Sequence, residues 1–278
     1  MRWQGGRSSG GLEDRRGMGG GMALGGGGIG VAILGLIGYF VFGIDPSTTT
    51  KVANQFGAGQ AQQEGRVGAP TDEEARFADV VLGSTTDVWS QQLQGYRQPR
   101  LVVYEQGTST GCGFGQAAMG PFYCPADQRV YIDLAFWREL EGDFQAGGDF
   151  ARAYVIAHEI GHHVQTLTGA SERASRARGL GERAGNEASV ALELQADCYA
   201  GVWAANVGAA SGGQVALEPG DLEEGLRAAA AVGDDTIQRR TQGQIVPDAF
   251  THGSAAQRQQ WFRTGYQSGR MDACNTGA

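Results

Sequence analysis

Positive charge is the first thing this sequence is short of. Its 22 lysines and arginines face 30 aspartates and glutamates, a formal charge of -8 over 278 residues. That balance leaves no electrostatic footprint for nucleic acid and implies an acidic, soluble surface. Cysteine and histidine are also scarce, at four each. The cysteines (Cys112, Cys124, Cys198 and Cys274) include no CxxC pair, and an even number of them leaves three disulfide connectivities open. A third absence is local: no charged residue occurs from Gly17 to Ile44. The second half of that stretch, IGVAILGLIGYFVFGI, is strongly apolar, and about 20 such residues cross a bilayer as a helix. Residues 22–44 are therefore expected to form a single transmembrane helix. A cleaved signal peptide fits less well, since no small-x-small cleavage site closes the apolar run. A buried core helix fits less well still, because the glycines would weaken it. Arginines precede the run, while Asp45 and Lys51 follow it. The positive-inside rule then puts the N-terminus in the cytoplasm and everything after Asp45 outside, at the plasma membrane.

At 41% hydrophobic and 19% charged, the chain as a whole has globular composition. Residues 1–21 are polar and glycine-rich and read as a disordered cytoplasmic tail. Residues 45–70, rich in Gly, Gln, Ser and Thr, read as a linker. Thr71 and Glu74 make a capping-box start for a long amphipathic helix, and PRLVVYE (99–105) and RVYIDL (129–134) read as strands. Between those strands Cys112 and Cys124 bracket a loop or edge strand. They are the nearest pair for a disulfide outside the cell; the alternative is two reduced buried thiols. A short helix over 136–144 and a longer one over 149–167 follow. The charged stretch 169–185 reads as a solvated excursion, and further helices are expected over 186–207, 221–232 and 254–266. Together these make an α+β domain, mostly helical with a small sheet, over 71–278.

The chemistry concentrates in residues 157–164, AHEIGHHV. Histidines four apart on a helix project from one face about one turn apart, so His158 and His162 supply half of a tetrahedral Zn²⁺ site. Glu159 sits beside that face, where a carboxylate reaches a metal-bound water without ligating the metal; this is the HExxH pattern of zinc metalloproteases. Gly161 thins the helix where a strand or substrate must come close. His163 points about 100° away from His162 and reads as structural. A catalytic zinc normally has three protein ligands and a water. Glu193 and Asp197, four apart on a later helix and embedded among apolar residues, are candidates for the third ligand and for a hydrogen bond to a ligating histidine. Cys198 follows Asp197 and so faces elsewhere, a candidate to tie to Cys274.

HEIGHH followed by ELQADCYAG resembles a gluzincin-type metallopeptidase. With the apolar N-terminal segment, GPFYCPAD, VYIDLAFW and THGSAAQRQQWF, the chain is similar to the neutral zinc metallopeptidase family of bacteria. The resemblance implies a zincin-like fold, one Zn²⁺ and peptide-bond hydrolysis at the cell envelope. Because gluzincins use a downstream His or Tyr to stabilise the oxyanion, it also implies that role for His252. Two rival functions share the residues: a silent zinc-containing envelope scaffold, and a zinc hydrolase of a non-peptide cell-wall bond.

Overall fold

The computed structural model describes residues 1–17, 65–68, 70, 72–116, 120–142 and 145–278. The expected membrane span at 22–44 and most of the expected linker lie outside these residues. Among the described residues no helix is long and apolar enough to cross a membrane.

A mixed five-stranded sheet carries the fold. Its strands are β1 (Leu12–Asp14), β2 (Arg66–Val67), β3 (Arg100–Tyr104), β6 (Phe122–Cys124) and β7 (Arg129–Asp133), in spatial order β2-β1-β3-β7-β6. β3 lies parallel to both β1 and β7, whereas β2 and β6 run antiparallel at the two edges. Between β3 and β6 a separate hairpin joins β4 (Gly107–Thr110) to β5 (Gly113–Gln116).

Side chains alternate across the pleat. Leu101, Val103, Val130 and Ile132 enter the main core with the helices, while Val102, Tyr104 and Tyr131 form a smaller cluster on the other face. The helices are α1 (Glu73–Gln92), α2 (Phe136–Gly142), α3 (Asp149–Thr168), α4 (Ala170–Arg178), α5 (Glu182–Ala210), α6 (Asp221–Ala231), α7 (Asp234–Gln242) and α8 (Ala255–Ser268). The α+β class is as expected.

Several boundaries differ from expectation, each for a local reason. The cap of α1 is Asp72, not Thr71, because the Asp72 carboxylate accepts from the Ala75 N–H at 2.9 Å. Asn186 does not start α5, which begins a turn earlier; its side chain instead donates to the Asp248 carbonyl. The charged stretch after α3 is helical over α4, where Ala170 and Ala174 bury against Leu192.

The largest correction concerns the tail. Residues 1–17 are folded: Trp3 is buried and donates its indole N–H to Asp149, and Leu12 sits in the main core. The expected linker over 45–70 also contributes β2 to the sheet. The domain thus includes segments before and after residues 18–64, not 71–278 alone.

Both disulfides that the sequence suggested are present, Cys112–Cys124 and Cys198–Cys274.

Candidate metal centre

Two helices build the centre, and a missing Cβ sets how close they come. A side chain at Gly161 of α3 would lie 3.0 Å from the Ala196 Cα of α5. The close neighbour is therefore a helix, not the strand or substrate expected at that glycine. This contact carries Glu193 and Asp197, on either side of Ala196, onto the histidine face of α3. His158 Nε2 lies 3.2 Å from one Glu193 oxygen and His162 Nε2 lies 3.4 Å from the other. Among the described residues these three are the group placed to hold a metal, with ligand atoms within 4.8 Å of one another.

The other nitrogen of each ring is engaged. His158 Nδ1–H donates to Asp197 at 2.9 Å and His162 Nδ1–H donates to the Gln165 amide oxygen at 2.9 Å. In the neutral rings both hydrogen bonds select the tautomer whose Nε2 carries the lone pair a metal needs; in the metal-free protein the rings take up a proton and Nε2–H donates to Glu193. Two imidazole nitrogens and one carboxylate, without thiolate, make the donor set of a catalytic zinc and fit that ion.

Asp197 is fully buried and serves several donors. Besides His158 it accepts from the Tyr154 hydroxyl and from Arg258 of α8, whose Nε lies at 2.7 Å. Arg258 is itself buried, and one of its nitrogens stands 3.8 Å from Glu193. Burial works against the Glu193 carboxylate. The His162 charge and hydrogen bonds from both histidines outweigh it, and its pKa falls well below the usual range. For Glu159 burial wins: the two histidine charges pull its pKa down, yet it stays raised.

The remaining candidates separate. His163 is buried and turned away, its Nε2–H donating to the Arg97 carbonyl at 2.7 Å while Nδ1 accepts from the Tyr123 hydroxyl at 3.1 Å. Burial lowers its pKa and keeps it neutral. His252 stands near enough to Glu193 for its charge to act on that carboxylate. Its Nδ1 lies 3.1 Å from Asp234, which also accepts backbone N–H groups from Thr251, His252 and Gly253. Gln165, Arg258, Tyr154 and Asp234 were not singled out in the sequence. The signal for Gln165 was its place three residues after His162; a lone Arg on an amphipathic helix gave none.

A family model described as "Putative neutral zinc metallopeptidase" matches residues 1–277. The chain belongs to that family. Proteins similar to it include the uncharacterized protein YpfJ of Escherichia coli K12, 46% identical over 99% of this chain and 98% of the relative. The uncharacterized protein Mb2605 of Mycobacterium bovis is 45% identical over 76% of this chain and 73% of its own. No solved structure matches the chain. Membership suggests Zn²⁺ as the ion for the His158, His162 and Glu193 group.

Proposed function

We propose that this protein hydrolyses peptide bonds with a zinc held by His158, His162 and Glu193. The observation that carries the reading is that both Nε2 atoms face one carboxylate while both Nδ1 atoms are tied down. Zinc in such a site supplies a Lewis acid and a water acidic enough to be a nucleophile near neutral pH.

Glu159, buried beside the ligands, accepts the proton of the attacking water and returns it to the leaving amine. The burial that raises its pKa suits a group that must give the proton back as well as take it. His252, oriented by Asp234 through Nδ1, donates from Nε2 to the carbonyl oxygen as charge builds there. Asp197 with Arg258 and Tyr154 holds the His158 ring in its productive tautomer. The antiparallel edge strand β6 lies beside α3, fastened through Tyr123 to His163, and offers a backbone ladder for an extended peptide.

A silent scaffold has no use for a buried carboxylate beside the ligands. The test is Glu159→Gln: bound zinc stays at one equivalent, and cleavage of casein or a quenched peptide library falls by at least about 10²-fold, the scale of a lost general base. Cleavage at the parent rate by that variant would sink the reading.

A further inference from the structure

Two arginines stand side by side where the central strands begin. β3 and β7 run parallel, and their first residues are register partners, Arg100 opposite Arg129. Like charges directly opposite one another on neighbouring strands destabilise a sheet, so this pairing calls for negative charge nearby. Glu13 of β1 lies 3.1 Å from Arg129 and 3.7 Å from Arg100. It is closer still to Arg15, at 2.7 Å, and it also accepts the Gly65 N–H at 3.0 Å. A single carboxylate therefore serves three guanidinium groups.

These strand ends border a recess of about 350 Å³, inside the range of about 300–1,000 Å³ usual for small-ligand sites. The loop before β3 contributes Arg97, Pro99 and Arg100 to its lining, and the turn between β6 and β7 contributes Asp127, Gln128 and Arg129. Arg97 makes no ion pair among the described residues. The acid among these lining residues is Asp127, and its carboxylate already accepts from the Gly111 N–H and the Tyr131 hydroxyl, both at 2.7 Å, and from the Arg129 N–H at 3.2 Å. The recess is thus cationic, on a protein whose formal charge is -8.

We propose that this recess binds a small phosphate monoester, with Arg97, Arg100 and Arg129 holding the phosphate oxygens. A phosphomonoester carries close to two negative charges near neutral pH and three strong acceptor oxygens. Planar guanidinium forks match such oxygens in pairs. A carboxylate brings half that charge, so the surplus of cations favours the phosphate. His163, which also lines the recess, turns away from the metal ligands and has both ring nitrogens engaged. The recess is therefore separate from the metal centre, and the proposal stands independently of peptidase activity.

The purified full chain tests it by calorimetric titration with inorganic phosphate, against sodium chloride at matched ionic strength. Phosphate should bind and chloride should not. The double variant Arg97→Gln, Arg100→Gln removes two exposed cations and leaves Glu13 its closer partners Arg15 and Arg129. It should melt at the parent temperature and bind phosphate at least about 10-fold more weakly, the scale of one lost hydrogen bond to a charged group. Gln128→Glu keeps every cation, adds a carboxylate at an exposed position of the lining, and should weaken phosphate to a similar degree. Phosphate held at the metal centre would be indifferent to all three substitutions. Parent-level binding in either variant, or no preference for phosphate over chloride in the parent, overturns the site. Glycerol 3-phosphate and vesicles containing phosphatidic acid separate the sources of the phosphate group. The soluble ester should displace inorganic phosphate; binding of the vesicles alone overturns a small-molecule ligand.

Discussion

Replacing Asp197 separates two ways in which the metal centre is held. Asp197→Asn keeps an acceptor for the His158 N–H but strands the buried Arg258 cation. Zinc affinity should fall about 10- to 100-fold, the range for losing such an outer partner. Stability should fall by ~3 to 5 kcal/mol, because a buried charge loses its counterion. Gln165→Ala removes a neutral acceptor from His162 and a donor to the Leu192 carbonyl, strands no charge, and should show the affinity loss with a smaller stability loss. Chelator competition and urea unfolding distinguish the two variants; equal stability loss in both would refute the ion-pair account. Protons report on the same centre. In the metal-free protein burial disfavours the His158 cation, but the Asp197 charge and the hydrogen bonds to Asp197 and Glu193 outweigh it and push its pKa up to about 10. The folded pKa thus exceeds the unfolded value near 6.5, so this contribution to metal-free stability is full below about pH 6.5 and fades as pH rises toward about 10. Zinc takes the neutral ring, so its affinity should run the other way, rising over that window with proton release. Calorimetry in buffers of different ionisation enthalpy measures the release, and a flat affinity would count against a raised His158. The ligands were legible because spacing on a helix is a sequence property. Arg258 and Asp234 were not, since their roles depend on which helix ends pack together.

Helix contact, at the next scale, is set by glycines on both partners. A Cβ on Gly265 of α8 would lie 1.9 Å from the Cys198 carbonyl, and one on Gly201 of α5 would lie 2.1 Å from the Phe262 carbonyl. Gly265→Ala should therefore push α8 off α5, costing ~1 to 3 kcal/mol as overpacking does. Arg258 travels with α8, so zinc affinity should drop together with the melting temperature; an unchanged affinity in a destabilised variant would uncouple the two helices. The elements themselves were readable where local signals agreed. β3, β7 and α3 carry clear apolar periods, and the capping box of Ser254 and Gln257 starts α8 as expected. Where signals were weak the expectation failed. α4 buries only small alanines in a charged stretch, and β1 is three residues, two of them acidic, whose burial depends on Arg15 and Arg129 reaching Glu13. A charged strand is invisible to hydrophobic periodicity, because its partners come from distant parts of the chain.

Over the whole molecule, pieces far apart in the chain are fastened at both ends. β1 pairs with β3, and Cys198 closes on Cys274 across a separation of 76 residues. The sequence suggested the second link and gave no hint of the first, since the apolar run beside β1 dominates any reading of the first fifty residues. β1 also bears on the order of events during synthesis. β3 is made about 90 residues after it, with the 18–64 segment made in between. Pairings of such separation form late and slowly. The earlier strand of the pair therefore waits, charged and without β3, on the growing chain, and its acidic and basic side chains keep that waiting segment from sticking to other apolar surfaces before the sheet can receive it.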